Sequence, residues 1–484
     1  MLFRQIVDPK LAQYAYLIGC QQTGEAIIID PERDIDRYVE IAAEEDLEIV
    51  AVTETHIHAD FLSGSREIVE RLGAKAYLSD EGDADWKYQW ANDPNYDVQL
   101  LEDGDVFRIG KIEFKAVHTP GHTPEHMAFI VTDVGGGADE PMGMLSGDFV
   151  FVADLGRPDL LESAAGHVGA MEPSARTLYD SVQGFLELPD YLQVWPGHGA
   201  GSACGKALGA VPETTVGYER RFNAGIAAAM RGQDAFVESI LEGQPEPPLY
   251  FARMKKDNKV GPAILGQLPQ PRELSATELA GLAGNSEVAV VDARLDRQAF
   301  MAGHLPSSLY APMDRTFNTI VGSYVEAGMP IYLILEPHQV DEAVRDLVRI
   351  GLDDIVGYAT PGTLAAVAET HTLDTIPIIG FDEALTMANE PAAKLLDVRR
   401  MTEFEEGHLE DAQCIAHTQL LARADEVAAG GKVVLYCRTG SRAASASALL
   451  ERLGHDVVYV DDEIAKVAPE LLLTGAGTEV PAVT

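Results

Sequence analysis

Between residues 290 and 417 the sequence repeats itself, and a repeat of this length constrains the architecture before any other feature is weighed. The stretch "VVDARLDRQAFMAGHLPSSLYAP" (290–312) matches "LLDVRRMTEFEEGHLEDAQCIAH" (395–417). Each reads Asp-x-Arg, then five or four residues, then Phe-x-x-Gly-His-Leu. His304 and His408 stand 104 residues apart. Each copy continues into an apolar strand ("PIYLILE", "KVVLYC"), a turn, an amphipathic helix ("DEAVRDLVRIG", "AASASALLERLG") and another short strand. Two tandem α/β units of about 100 residues, with parallel sheets, are expected.

Upstream the texture differs. "EAIIID" reads as a strand, "IDRYVEIAAEED" as a helix, and "LEIVAVTET" as a buried strand that delivers "THIHADF" at its C-terminal end. Three later segments, "KIEFKAVHTPGHT", "MGMLSGDFVF" and "YLQVWPGHGAG", repeat that plan: a strand runs into a Gly-bearing turn with a His or Asp. Such loops can meet at one edge of a sheet sandwich, where layered α/β folds carry their chemistry. From residue 246 to 270 the sequence is rich in Pro and Gly with little periodicity, and it reads as a linker. The expected domains are therefore 1–245, the linker 246–270, and the two repeat units 271–372 and 373–484, in keeping with two to four domains of about 100 to 200 residues each.

Composition narrows the function. The net charge of −41, from 77 acidic against 36 basic residues, excludes nucleic-acid partners, which need basic surfaces. No apolar run of about 18 residues and no charged-then-apolar leader is visible, so neither a membrane span nor a signal peptide is expected, and the cytoplasm is the default compartment. The 4 cysteines, at positions 20, 204, 414 and 437, are too few and too scattered for a disulfide framework and matter as thiols. Cys20, in the turn "IGCQQTG", is expected to be exposed, and Cys414, in "AQCIA", to be core.

Cys437 has a distinctive setting. The strand "KVVLY" stops at this thiol, and Arg438-Thr439-Gly440-Ser441-Arg442 follows before a helix. Successive backbone N–H groups, a helix N-terminus, Arg438 and Arg442 create a positive potential there, which favours thiolate or persulfide. The loop resembles the active-site loop of rhodanese domains, sulfurtransferases that carry a sulfane sulfur on this cysteine. The Asp397 and Arg399 stretch is expected to be architectural, as a buried ion pair. The tail "YVDDEIAKVAPE" departs from the Gly-Gly-x-x-x-Trp ending common in that family. In the first repeat unit Glu336 stands where the thiol should be, and a carboxylate cannot carry sulfane sulfur. Residues 271–372 thus read as a rhodanese-like domain without transferase chemistry, a spacer or docking surface.

The motifs of the first domain run in order: His56-x-His58-x-Asp60-Phe61, Pro120-Gly121-His122-Thr123, Ser146-Gly147-Asp148, Gly156-Arg157-Pro158-Asp159 and Pro196-Gly197-His198-Gly199. The set resembles the metallo-β-lactamase fold superfamily, an αββα sandwich with its metal site at one edge of the paired sheets. Two-metal hydrolases of that superfamily use a histidine where this chain has Phe61, and a benzyl ring cannot coordinate. The motif order is similar to that of the persulfide dioxygenase branch. That resemblance implies one Fe(II) per chain held by His56, His122 and Asp148, a two-histidine, one-carboxylate face that leaves positions for substrate and O₂. It also implies that His58, Asp60 and His198 orient ligands or bound water, and that Arg157 holds an anionic group of the substrate. Cys204, six residues after His198, is a candidate for a redox or sulfur-relay role near the metal.

Taken together, the chain resembles a persulfide dioxygenase fused to a degenerate and a complete rhodanese. The resemblance implies a low-molecular-weight thiol persulfide and O₂ as substrates, sulfite and/or thiosulfate as products in sulfide detoxification, and a homo-oligomer, dimer or tetramer. The alternative is a zinc-dependent thioester hydrolase of the glyoxalase II type with a fused sulfur-carrier domain; a non-enzymatic sulfur carrier or scaffold is a third reading.

Overall fold

The apolar runs become strands where the sequence places them. "EAIII" forms β3 (Glu25–Ile29) and "EIVAVT" forms β4 (Glu48–Thr53), joined by the amphipathic helix Asp36–Glu44, which buries Tyr38 and Ala42. A computed structural model describes residues 1–163, 169–390, 392–427 and 430–475; residues 476–484, the end of the expected third domain, lie outside the described residues. The chain divides into two units, Met1–Leu268 with Val348–Gly351, and Pro269–Leu347 with Leu352–Thr484.

The first unit is a sandwich of two six-stranded sheets. One runs β1 (Leu2–Asp8), β2 (Gln13–Cys20), β3, β4, β5 (Lys75–Ser79), β6 (Val98–Leu101). The other runs β12 (Thr214–Thr215), β11 (Gln193–Pro196), β10 (Gly143–Gly147), β9 (Met127–Thr132), β8 (Ile112–His118), β7 (Val106–Ile109). Tyr16, Ile18, Ile27, Ile29, Phe114 and Phe129 form the core between the sheets. Helices cover both outer faces: Tyr38 and Ile68 pack on the first sheet, Leu178 and Val182 on the second. This is the expected αββα layering, in which each sheet buries both faces.

Two five-stranded, wholly parallel sheets make up the second unit, and they share one strand order. The first runs β13 (Arg272–Glu273), β17 (Ile355–Ala359), β16 (Ile331–Ile334), β14 (Ala289–Asp292), β15 (Leu309–Tyr310). The second runs β18 (Ile378–Ile379), β23 (Asp456–Val460), β22 (Lys432–Tyr436), β19 (Ala393–Asp397), β21 (Gln413–Cys414). Here β20 (His408–Leu409) pairs with β24 (Leu472–Leu473) outside the sheet.

The repeated motif has one physical meaning in both copies. Arg294 Nη2 donates to Asp292 Oδ2 at 2.6 Å and to the Gly303 carbonyl at 3.0 Å; Arg399 Nη2 donates to Asp397 Oδ2 at 2.6 Å and to the Gly407 carbonyl at 2.7 Å. The ion pair thus ties the end of a strand to the turn before Gly-His-Leu. The two histidines close the same module: His304 stacks on Phe300 and His408 on Phe404, with ring centroids 4.1 and 3.7 Å apart.

No helix among the described residues is long and apolar enough to cross a membrane. The stretch 246–270, expected to be a linker, contains the helix Phe251–Val260, which buries Phe251, Met254 and Asn258. Its few apolar side chains are well spaced, but the Pro and Gly on either side mask the period.

Candidate functional site

Five loops of the first unit converge, and the hydrogen bonds behind each imidazole decide what it can do. Asp30, just after β3, adopts a left-handed backbone conformation (φ 51°) and aims its carboxylate into the loop after β4. Thr55 donates to it twice, from N at 2.7 Å and from Oγ1 at 2.9 Å. With its own proton committed, Thr55 Oγ1 accepts from Nδ1 of His56 at 3.0 Å. His56 Nε2 is left as a free lone pair. His122 donates from Nδ1 to the Arg157 carbonyl at 2.9 Å, and His198 from Nδ1 to the Ala12 carbonyl at 3.2 Å. Their Nε2 atoms are likewise bare.

These lone pairs meet Asp148. His122 Nε2 lies 3.6 Å and His56 Nε2 3.9 Å from Asp148 Oδ2, and His198 Nε2 lies 3.5 Å from Asp148 Oδ1. His198 is also 3.2 Å from Asp60 Oδ2. Ligand atoms of His56, His122 and Asp148 all fall within 4.8 Å of one another, and so do those of Asp60, His198 and Cys204. Both carboxylate oxygens of Asp148 and of Asp60 are buried and accept no hydrogen bond among the described residues. A buried carboxylate without donors is costly unless a cation satisfies it. Such a donor set fits a metal: two neutral imidazoles and a carboxylate suit ferrous iron, and the carboxylate, imidazole and thiol of the second group also suit zinc.

The electrostatics agree with the geometry. Burial pushes Asp148 and Asp60 up to about 6, because each carboxylate is held away from water. Burial holds His122 down to about 4, and burial with the neighbouring histidines keeps His56 well below the usual range, so both stand as neutral ligands. His58 behaves differently. Burial opposes its charge, yet the Asp30 carboxylate at 3.0 Å outweighs that and raises it to about 9. Its Nε2 faces Asp30 and its ring lies against Phe61, with centroids 4.3 Å apart. Phe61 thus occupies a buried slot beside His58.

Close approaches leave no room for side chains. A Cβ on Gly197 would stand 2.6 Å from Asp148 Oδ1, and one on Gly147, at φ 49°, would stand 2.4 Å from Thr55 Oγ1. Three supports were not visible in the sequence. Asp30 is one. His126 is another: its Nε2 accepts from the Asp148 backbone N–H at 3.1 Å while Nδ1 bonds Thr119 Oγ1 at 2.7 Å. The third is Asn258, on the helix within the presumed linker. It donates to the carbonyls of His58 and Phe61 at 2.8 and 2.7 Å and accepts from Ser63 N at 2.8 Å.

A cleft lined by Ile57, Trp86, Leu161, Phe251, Lys255 and His122 adjoins the cluster. Lys255 Nζ sits 3.4 Å from the centre of the Trp86 ring, and burial lowers its pKa to about 8.

Arg157 is placed otherwise than expected. Its guanidinium is buried, pairs with Asp159 through Nε at 2.8 Å and Nη2 at 2.6 Å, and donates from Nη1 to the Ala203 carbonyl at 3.1 Å. These bonds commit the guanidinium to bracing its own loop against the Cys204 loop rather than to an anionic substrate. Cys204 is buried, and burial with the Asp60 and Asp148 carboxylates pushes its thiol well up. Cys20 is buried rather than exposed, because Lys111 N approaches its Sγ at 3.4 Å from the turn between β7 and β8. Cys414 is only partly buried, at the edge strand β21.

In the second unit the buried thiol of Cys437 follows β22, a central strand of its sheet. Arg442 forms a two-pronged ion pair with Glu403 at 2.5 and 2.8 Å, while Arg438 is exposed. Glu336, at the matching position of the other domain, is exposed and caps the short turn Pro337–Gln339.

Comparison with known proteins agrees with this anatomy. Residues 8–198 match the metallo-beta-lactamase superfamily and residues 381–468 the rhodanese-like domain. The chain is 40% identical to a metallo-beta-lactamase from Staphylococcus aureus subsp. aureus COL, whose crystal structure aligns at a TM-score of 0.66 over 75% of this chain and 98% of that one. It is 29% identical to the mitochondrial persulfide dioxygenase ETHE1 of Bos taurus over 41% of this chain and 68% of that protein. A beta-lactamase hydrolase-like protein of Xylella fastidiosa is 28% identical over 54% of this chain, which spans 60% of that relative's length.

Proposed function

Because the chain belongs to the metallo-beta-lactamase superfamily through its N-terminal domain and carries a rhodanese-like domain at its C-terminus, we propose that it is a persulfide dioxygenase coupled to a sulfurtransferase. The observation that carries this reading is the pair of bare imidazole nitrogens, on His56 and His122, facing a buried Asp148 carboxylate that no donor satisfies. One ferrous iron per chain held by these three residues would supply open positions for O₂ and a sulfur donor. The net reaction takes one persulfide, one O₂ and one water to one thiol, one sulfite and two protons.

The chain's own residues do the rest. Thr55 and the Arg157 carbonyl fix the tautomers of His56 and His122, and His126 holds the Asp148 backbone. The cleft beside His122 is lined mainly by apolar side chains, and Lys255 offers a cation to an anionic persulfide of low molecular weight. Sulfite can then take the outer sulfur of a persulfide on Cys437. The S–S bond breaks, the cysteine sulfur leaves as thiolate, and thiosulfate forms. The reading carries with it a homo-oligomer, dimer or tetramer, in the cytoplasm. Oxygen uptake by iron-loaded protein given glutathione persulfide tests it, and an iron-loaded protein that takes up no oxygen refutes it.

A second reading has one observation in its favour. Asp60, His198 and Cys204 form another ligand cluster beside the first, and a second ion there would suit a two-zinc thioester hydrolase of the glyoxalase II type, with Cys204 rather than a histidine at position 61 completing the donor set. Elemental analysis separates the two: two zincs per chain support the hydrolase, one iron the dioxygenase.

A further inference from the structure

The helix Ser441–Arg452, whose N-terminus carries the Cys437 loop, does not behave as an amphipathic surface helix. Every residue from Ala443 to Leu450 is buried. A helix buried on all sides needs a cover on its outer face, and the thiol-less domain supplies it at both ends. At the C-terminal end His304 Nε2 bonds Glu451 Oε2 at 2.6 Å, and Arg452 donates to the carbonyls of Ser307, Ser286 and Val288 at 2.6, 3.0 and 2.9 Å.

The N-terminal contact reaches the thiol loop itself. Arg297, the first residue of the helix Arg297–Ala302 in the thiol-less domain, donates from Nη2 to the Thr439 carbonyl at 3.0 Å and from Nη1 to Ser441 Oγ at 3.1 Å. Its Nε donates to Asp461 Oδ1 at 2.9 Å, and Gln298 Nε2 donates to Asp461 Oδ2 at 2.8 Å. Gly440 sits in the angle at φ 90°; a Cβ there would stand 2.7 Å from both Asp461 Oδ1 and the Tyr459 hydroxyl, and 3.3 Å from Arg297 Nη2. Arg297 is still 34% exposed and lies within electrostatic reach of Cys437, as do Arg442, which Glu403 pairs, and Tyr459.

We propose that the thiol-less domain is a working part of the sulfurtransferase site and that Arg297 is its positioning residue, locking the Thr439-Gly440-Ser441 peptides around the sulfur on Cys437. In a planar trans peptide the carbonyl and the next N–H point opposite ways. Holding the Thr439 carbonyl outward therefore turns the Gly440 N–H inward, where it can stabilise a persulfide anion or the dianionic thiosulfate that supplies it. The inference rests on the reading that Cys437 carries sulfur. In that step the Cys437 thiolate attacks the outer sulfur of thiosulfate, the S–S bond breaks, sulfite leaves with the electron pair, and the persulfide anion stays on the cysteine.

The test uses the full chain with thiosulfate as donor and cyanide as acceptor, comparing wild type, Arg297→Gln, Arg297→Lys and Glu451→Gln. Loosening the loop lowers kcat of Arg297→Gln about 100-fold with little change in KM for thiosulfate, and Arg297→Lys recovers part of the loss. Glu451→Gln removes the carboxylate charge from a domain contact about 15 Å along the same helix and keeps kcat within about twofold of wild type. An Arg297→Gln variant as fast as wild type overturns the proposal, and so does an equal loss in Glu451→Gln, which would reduce Arg297 to one docking contact among several. A wild-type chain that transfers no sulfur overturns the sulfurtransferase reading itself, and this inference with it.

Discussion

Thr55 Oγ1 accepts a hydrogen bond from Nδ1 of His56 at 3.0 Å while donating its own proton to Asp30 at 2.9 Å. The hydroxyl thereby fixes which nitrogen of His56 is free to bind a metal. Thr55→Val keeps the shape and removes both bonds. Iron affinity is expected to fall about 10- to 100-fold, measured by competition with a chelator of known affinity. Unchanged affinity would mean that the Asp30 relay does not orient His56.

Asn258 ties the same loop to the helix Phe251–Val260 through bonds to His58, Phe61 and Ser63. Asn258→Ala leaves two buried carbonyls and one N–H without partners, and it is expected to cost about 2 to 4 kcal/mol. The tryptophans, at positions 86, 90 and 195, all lie in the first unit, so its melting can be followed by their fluorescence. An unaltered melting temperature would show this helix to be dispensable.

Lys255 gives a pH dependence with a defined sign. Burial lowers its pKa to about 8, so the cation is present at pH 7 and is lost as the pH rises through 8. KM for the persulfide is expected to rise about tenfold between pH 7 and pH 9. Lys255→Met should show the high KM at both pH values. A wild-type KM that is flat across this range would remove Lys255 from substrate binding.

Cys437→Ser separates the two chemistries. Oxygen uptake should continue, sulfite should accumulate, and thiosulfate should no longer form. Thiosulfate produced by the variant at the wild-type rate would contradict the division of labour between the two units.

Much of this was legible because the chemistry is written into short local motifs. The Asp-x-Arg and Gly-His-Leu elements read as a repeat because each copy closes its own ion pair within a dozen residues. The loops bearing His56, His122, Asp148 and His198 were legible because each directly follows a strand. What stayed hidden depends on distant partners. Asp30 is 28 residues from His58, and Asn258 is 197 residues from Phe61, so no window of sequence joins them. Arg157 looked free because its partner Asp159 stands only two residues on and was read as part of the same motif. The helix "AASASALLER" looked amphipathic because small Ala and Ser residues read as a polar face, whereas here they let the other domain approach closely.

An oxygen-electrode trace of zinc-free protein loaded with one ferrous iron per chain, after addition of glutathione persulfide, tests the iron assignment most directly. The predicted result is one O₂ consumed per persulfide, abolished in His122→Ala and Asp148→Ala. The contradicting result is an iron-loaded chain that leaves the oxygen concentration unchanged.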